Sequence, residues 1–106
     1  MVDISAIQDF KNRLVDQYKP DKVVLFGSYA YGTPTAESDV DIFVILPFTG
    51  KSVVKSAEML NKLDPKFAVD LLVRTPGEVQ RRLELGDFFI RDIIDKGKVL
   101  YEAPDA

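Results

Sequence analysis

The stretch GSYAYGTPTAESDVDIFVIL, residues 27–46, joins a tight turn to an apolar strand that begins with two carboxylates. The run from Val40 to Leu46 is typical of a buried strand. Side chains alternate between the two faces of a strand, so Asp39 and Asp41 point the same way. Two like charges on one face repel each other, and folding alone does not require such a pair. We therefore predict that a positive group lies between them.

The composition narrows the chemistry open to the chain. Its 106 residues suffice for a single domain, 1–106, with one core. Cysteine and histidine are both absent, which excludes disulfides, thiolate or imidazole metal sites and a Ser-His-Asp triad. The net charge of −3 argues against binding of duplex nucleic acid. The sequence has no apolar run that would span a membrane and no secretory leader, so we expect a cytoplasmic protein.

Strands and helices alternate along the sequence. Strands are predicted at 22–26, 39–46, 66–73 and 98–102, and helices at 5–18, 28–31, 52–63, 75–85 and 88–96. This alternation predicts the α/β (α+β) class, with helices packed against a small β-sheet. Ser5 is expected to cap the first helix. The buried side of the 52–63 helix is expected to carry Val53, Ala57, Leu60 and Leu63.

A third carboxylate, Asp70, lies in the otherwise apolar strand FAVDLLV. An ionised carboxylate in such a strand is costly unless it is paired or bound to a metal. If this strand lies beside the 39–46 strand, Asp39, Asp41 and Asp70 converge. Three carboxylates form a hard oxygen site suited to Mg²⁺ or Mn²⁺.

Gly27 and Ser28 leave one strand and enter a predicted helix start. Backbone N–H groups at a helix start, together with the Ser28 hydroxyl, favour an anion such as a phosphate. Gly27 lets the backbone approach such a ligand closely. A phosphate site next to a metal site indicates metal-assisted phosphoryl or nucleotidyl transfer.

Each of these features also has a purely structural explanation. A Gly-Ser pair after a strand is more often only a turn. Asp39 could cap its strand, and Asp41 could pair with a lysine. Asp70 could form an ion pair with Lys66 or Arg74. The occurrence of all these features in one chain favours the functional interpretation.

The order of these residues resembles the signature of the nucleotidyltransferase superfamily that includes DNA polymerase beta, and more closely that of the minimal nucleotidyltransferases. That signature is an apolar residue with Gly-Ser, a spacer, Asp-apolar-Asp-apolar and a later Asp on a neighbouring strand. Its counterparts here are Phe26-Gly27-Ser28, the spacer 29–38, Asp39-Val40-Asp41-Ile42 and Asp70. The resemblance covers nearly the whole chain and implies a mixed sheet with the polymerase beta palm-like fold.

The resemblance implies a role for each residue of the signature. Asp39, Asp41 and Asp70 are the implied catalytic residues and hold two Mg²⁺ or Mn²⁺ ions. Gly27, Ser28, Asp39 and Asp41 are the implied nucleotide-binding residues. The implied reaction is attack of a hydroxyl on the α-phosphate of ATP, with transfer of AMP and release of pyrophosphate. Asp70 is expected to accept the proton.

The resemblance also implies a protein partner. Family members of this size are often encoded beside a HEPN-domain toxin, act as its antitoxin and adenylylate one of its tyrosines. Because larger members add a second domain and this chain ends at Ala106, we expect the partner to supply the acceptor. Two alternatives remain open: a non-catalytic antitoxin that covers a helical partner, and an aminoglycoside-type nucleotidyltransferase with a separate acceptor-binding subunit.

One residue departs from the family signature, and one segment is more apolar than a single helix face requires. Tyr31 stands where many minimal members have an arginine, so a cation near the phosphates is missing, and Arg74 is the candidate replacement. The segment 86–94 has more apolar residues than one helix face can bury. We therefore expect the more exposed of Phe88 and Phe89 to contact the partner.

Overall fold

The computed structural model describes residues 1–104, so the last two residues of the expected 1–106 domain lie outside it. Five helices and four strands follow one another: α1 (Ile4–Tyr18), β1 (Lys22–Phe26), α2 (Ser28–Tyr31), β2 (Val40–Ile45), α3 (Ser52–Leu63), β3 (Val69–Arg74), α4 (Pro76–Glu84), α5 (Phe88–Lys96) and β4 (Lys98–Glu102). Every predicted element is present, with ends that differ by three residues at most.

The four strands form one mixed sheet in the order β3-β2-β1-β4. β1 runs antiparallel to both β2 and β4, whereas β2 and β3 are parallel. β2 is therefore central, which explains its continuous apolar run, and β3 is an edge strand. This arrangement confirms the predicted class and the mixed sheet.

The sheet is covered on both faces. One face packs against the inner sides of α1 and α3, where Phe10, Leu14 and Met59 are fully buried. The other face packs against α4 and α5 through Val79, Ile90 and Ile93. Because side chains alternate along β2, Ile42 enters the first layer and Phe43 the second. Asp41 lies two residues before Phe43 and so belongs to the α4–α5 face.

The helix ends follow their predicted caps in α4 and α5 but not in α1. Thr75 Oγ1 accepts a hydrogen bond from the Glu78 N–H at 3.2 Å, and Asp87 Oδ1 accepts one from the Ile90 N–H at 3.0 Å. The expected cap at Ser5 is wrong, because the helix already begins at Ile4 and Asp3 takes the N-cap position.

The predicted buried side of α3 is only partly right. Met59 and Leu63 face the sheet, whereas Val53 and Ala57 are exposed. Ala57 lies two residues, or about 200° around the helix, from Met59 and must point outward when Met59 points inward. None of the helices within residues 1–104 is long and apolar enough to cross a membrane.

Candidate active site

Asp41 and Asp70 lie directly opposite each other on neighbouring strands. The parallel pairing of β2 with β3 places Asp41 against Asp70, and the antiparallel pairing of β1 with β2 places Phe26 against Asp41. Side chains of paired residues lie on the same face of a sheet, and neighbouring strands are about 4.8 Å apart. The predicted side-by-side arrangement of the two acidic strands is therefore present.

The three carboxylates interact electrostatically at Asp41. Burial raises the pKa of the Asp41 carboxyl above its ordinary value, and the charges of Asp70 and then Asp39 raise this pKa further. Asp39, predicted to be the first residue of the strand, lies one residue before the observed start of β2 and remains close enough to contribute. The carboxylates thus concentrate negative charge at the start of β2.

The ion pairs considered as structural explanations are not formed in the described part of the chain. Lys66 pairs with Asp64, at 2.7 Å, and not with Asp70. Within residues 1–104 no lysine or arginine pairs with any of the three carboxylates. The negative charge at this site is therefore left for a ligand to neutralise.

Asp70 is exposed, and the expectation of a buried carboxylate in an apolar strand is wrong. The reason is the position of β3 at the edge of the sheet, where its side chains reach solvent beside the covering helices. Among the described residues, no three carboxylates are arranged closely enough to hold one metal ion as they stand. Like charges that repel one another favour such a spread arrangement.

Gly27 connects β1 to α2 and lies against Asp41. Its backbone has φ 73° and ψ −158°, a combination that is essentially restricted to glycine. A Cβ atom built on Gly27 would overlap Asp41 Oδ2 and lie 3.0 Å from Asp41 Cγ. Gly27 is therefore needed both for the turn and for the space that Asp41 occupies.

Ser28 begins α2 at this point of contact. The Gly27 carbonyl accepts hydrogen bonds from the N–H groups of Ala30 and Tyr31, at 3.0 and 3.1 Å. The first N–H groups of a helix have no partner within it. The N–H and hydroxyl of Ser28 are thus available one residue from the glycine that touches Asp41.

Arg74, the candidate replacement for the arginine that Tyr31 displaces, hydrogen-bonds within its own strand in this structure. Arg74 lies four residues from Asp70, about 13 Å along the strand. Its guanidinium donates a hydrogen bond to the Val73 carbonyl at 2.8 Å. Tyr31 is half exposed at the end of α2.

A cavity of about 310 Å³ opens beside the edge strand and includes Asp70 in its wall. Its other lining residues come from β3 and the start of α3: Ser52, Val53, Ser56, Leu71, Leu72 and Arg74. Sequence reasoning did not find Ser52 and Ser56, because their position depends on how α3 crosses β3. A larger cavity, of about 480 Å³, lies near Pro47 and Lys51 at the opposite end of β2, away from the carboxylates.

The sequence matches the nucleotidyltransferase domain family over residues 7–100. It is 33% identical over 98 residues to MJ0604 of Methanocaldococcus jannaschii, which is provisionally named a protein adenylyltransferase; the match covers 91% of this chain and 95% of that relative. MJ1379 of the same organism, with the same provisional name, is 50% identical over 38 residues, or 36% of this chain and 38% of the relative. The chain therefore belongs to the nucleotidyltransferase family and is a transferase, as the resemblance to the minimal members implied.

Solved structures share the fold. A provisionally assigned nucleotidyltransferase from Sulfolobus solfataricus superposes with a TM-score of 0.65 at 18% identity, over 93% of this chain and 79% of that one. A toxin-antitoxin complex with AMP-PNP gives a TM-score of 0.59 at 23% identity, over 92% of this chain and 75% of that one. A mutant of the MntA-HpeT toxin-antitoxin gives 0.57 at 21% identity, over 92% of this chain and 75% of that one. These similarities confirm the nucleotidyltransferase fold.

Proposed function

We propose that this chain is a metal-dependent nucleotidyltransferase that transfers AMP from ATP to a tyrosine hydroxyl of a HEPN-domain toxin and thereby acts as its antitoxin. The observation that carries the proposal is the pairing of Asp41 with Asp70 beside Gly27, whose lack of a side chain leaves room for the Asp41 carboxylate. The provisional name of the 33% identical relative supports protein adenylylation. The toxin-antitoxin neighbours, one with AMP-PNP, support the nucleotide and the partner.

The donor chemistry of the site suits a divalent cation, although in this structure the three carboxylates are not arranged to share one ion. Asp39, Asp41 and Asp70 supply only carboxylate oxygens, the ligands that Mg²⁺ and Mn²⁺ prefer. Burial, and then the charges of Asp70 and Asp39, raise the pKa of Asp41, and a bound cation would relieve the repulsion between these charges. In this proposal the three carboxylates hold two ions, which when bound neutralise the triphosphate and make the attacking hydroxyl more acidic.

Phosphate binding and proton transfer are carried out by residues of this chain. The N–H groups and hydroxyl at Gly27 and Ser28 bind the β- and γ-phosphates. The acceptor oxygen forms a bond to the α-phosphorus, and the bond from that phosphorus to the oxygen of the leaving pyrophosphate breaks. Asp70 accepts the hydroxyl proton. Because Asp70 is exposed at the sheet edge and lines the 310 Å³ cavity, the acceptor approaches from the β3 side.

The acceptor is a separate protein in this proposal. Residues 1–106 act as one minimal nucleotidyltransferase domain in the cytoplasm, and the partner toxin brings the tyrosine to Asp70. An acceptor that enters beside an exposed edge strand needs no movement of the core.

The test is transfer of label from α-phosphate-labelled ATP to the co-purified partner in the presence of Mg²⁺. We expect a labelled tyrosine on the partner and no label when the metal is chelated. We also expect the toxicity of the partner to be relieved only when AMP is transferred to it. If the partner is neutralised without label, the chain is a non-catalytic antitoxin. If label passes only to an aminoglycoside, the proposed protein acceptor is wrong.

A further inference from the structure

Phe89 is a large aromatic residue that is held in place yet remains 57% exposed. Its ring forms a T-shaped contact with that of Phe26, with ring centroids 6.0 Å apart and planes at 84°. An exposed phenylalanine ring that a buried neighbour orients is a preformed apolar surface. The core does not need the exposed part of this ring.

Phe89 lies on the same face of the sheet as the Asp41 side chain. Phe26 is paired with Asp41 across β1 and β2, so both side chains lie on the α4–α5 face of the sheet. Phe89 contacts Phe26 from α5 on that same face. Phe26 therefore connects the two, since it contacts Phe89 and lies opposite Asp41 in the sheet.

The neighbouring Phe88 points elsewhere. Ile90 and Ile93 direct the buried side of α5 toward the sheet. Phe89 lies about 100° around the helix from Ile90, at the flank, whereas Phe88 lies about 200° away. Phe88 is accordingly 86% exposed on the outer side of α5. The two rings therefore face different surroundings.

We propose that the exposed part of the Phe89 ring stacks on the base of the bound nucleoside triphosphate, and this inference rests on the proposed function. Phosphates held at Gly27 and the carboxylates leave the ribose and base to lie on neighbouring surface. Phe89 offers an oriented aromatic ring there, and every base presents a π-face to such a ring. Stacking of this kind is largely independent of the identity of the base.

The chain contains no tryptophan, so one substitution gives a site-specific fluorescent reporter. Phe89→Trp keeps an aromatic ring at the site, and Phe88→Trp is the matched control one residue away. Each variant is titrated, with Mg²⁺, with an ATP analogue whose α,β-bridging oxygen is a methylene, and separately with inorganic tripolyphosphate. We expect the ATP analogue, but not tripolyphosphate, to quench the Phe89→Trp variant, and neither ligand to quench Phe88→Trp.

Calorimetry on Phe89→Leu is the second measurement. Leucine keeps an apolar side chain against Phe26 but removes the aromatic ring. We expect affinity for the ATP analogue to fall by roughly tenfold, within the range for loss of one stacked base. Affinity for tripolyphosphate is expected to stay unchanged, because the phosphate-binding residues are intact.

The outcomes separate this inference from the proposed function. If the unmodified protein binds neither ligand, the proposed function fails and the stacking assignment fails with it. If it binds both but Phe89→Leu shows no selective loss and Phe89→Trp no quenching, only the stacking assignment is overturned. Equal quenching of Phe88→Trp also overturns the assignment to Phe89. Loss of the partner from Phe89→Leu with unchanged analogue binding makes the ring a protein contact instead.

Discussion

Asp41 Oδ2 occupies the space that a side chain at Gly27 would need. Gly27 directly follows β1, and Asp41 lies in β2. The pairing of β1 with β2 brings the two residues together. The turn that begins at Gly27 and leads into Ser28 therefore packs closely against the Asp41 carboxylate. A change at either residue is expected to disturb both the phosphate-binding turn and the acidic site.

Gly27→Ala is expected to lower stability and abolish nucleotide binding. The added Cβ meets Asp41, and the φ of 73° is strained for any other residue. Such a backbone position costs about 1–3 kcal/mol in the free energy of unfolding, before displacement of Asp41 is considered. Denaturant titration and calorimetry with ATP and Mg²⁺ measure the two effects.

Gly77→Ala is the matched control for this change. Gly77 lies in the first turn of α4. A Cβ atom added there would meet no heavy atom of residues 1–104 within 4 Å. Alanine is favoured over glycine within helices by up to about 1 kcal/mol. The control should therefore leave stability unchanged or raise it. Similar losses in both variants would mean that the contact with Asp41 is unimportant.

Asp41→Asn is expected to abolish transfer while making the metal-free protein more stable at neutral pH. Burial, Asp70 and Asp39 raise the pKa of Asp41 above 3.8 in the folded state. The folded state therefore binds this proton more tightly than the unfolded chain, and stability falls as the pH rises through the raised pKa. Asparagine cannot ionise and so avoids this loss of stability. The Tm of Asp41→Asn should therefore exceed that of the unmodified protein at neutral pH, and the difference should vanish below pH 3.8.

Thermal melts with a chelator, across this pH range, test the stability half of that prediction. Addition of Mg²⁺ should then raise the Tm of the unmodified protein more than that of Asp41→Asn. Asp95→Asn, an exposed change on α5, is the control and should alter neither transfer nor the response to Mg²⁺. Near-normal transfer by Asp41→Asn would contradict the metal-binding role of this carboxylate.

Ser28→Ala is expected to weaken binding of ATP by about 2 kcal/mol, the scale of a hydrogen bond to a charged group. The hydroxyl is at the start of α2, one residue from Gly27, and its loss leaves the turn intact. Calorimetry with ATP and Mg²⁺ measures the change. Ser5→Ala is the control, since Ser5 is exposed on α1, which packs on the opposite face of the sheet from Asp41. Unchanged affinity in Ser28→Ala would make Ser28 a turn residue only.

The order of elements and the mixed sheet could be predicted because local signals agree with tertiary structure. Thr75 and Asp87 cap helices where their side chains predict it, and Gly27 closes β1 as expected. The pairing of Asp41 with Asp70 could be predicted because each lies in an apolar strand and a helix connects the two strands. The spread of the three carboxylates, which are not arranged to share one ion in the described residues, could not be predicted.

Features that depend on the order of strands could not be predicted. Asp70 is exposed because β3 is an edge strand. The apolar sequence of β3 resembles that of a central strand and does not predict this edge position. The outward position of Val53 follows from the rotation that places Met59 on the sheet. The contact between Phe26 and Phe89 joins residues far apart in the chain and depends on how α5 lies over β1.

Phe88→Ser is expected to release the partner without altering the fold. Phe88 is 86% exposed, so it is the ring to which the sequence-based prediction of a partner contact applies. Aromatic side chains are frequent anchors of protein interfaces. Removal of an exposed side chain should change the free energy of unfolding by no more than about 0.5 kcal/mol. Co-purification with the proposed partner and a thermal melt measure the two quantities separately.

Ile4→Ser is the control for that substitution. Ile4 is also an exposed apolar residue, but it belongs to α1, which packs on the opposite face of the sheet from α5. The control should keep both the partner and the melting temperature. If Phe88→Ser retains the partner as fully as Ile4→Ser does, the interface lies elsewhere on the molecule. If Phe88→Ser instead lowers the melting temperature, the ring supports the fold, and its exposure does not mark a docking surface.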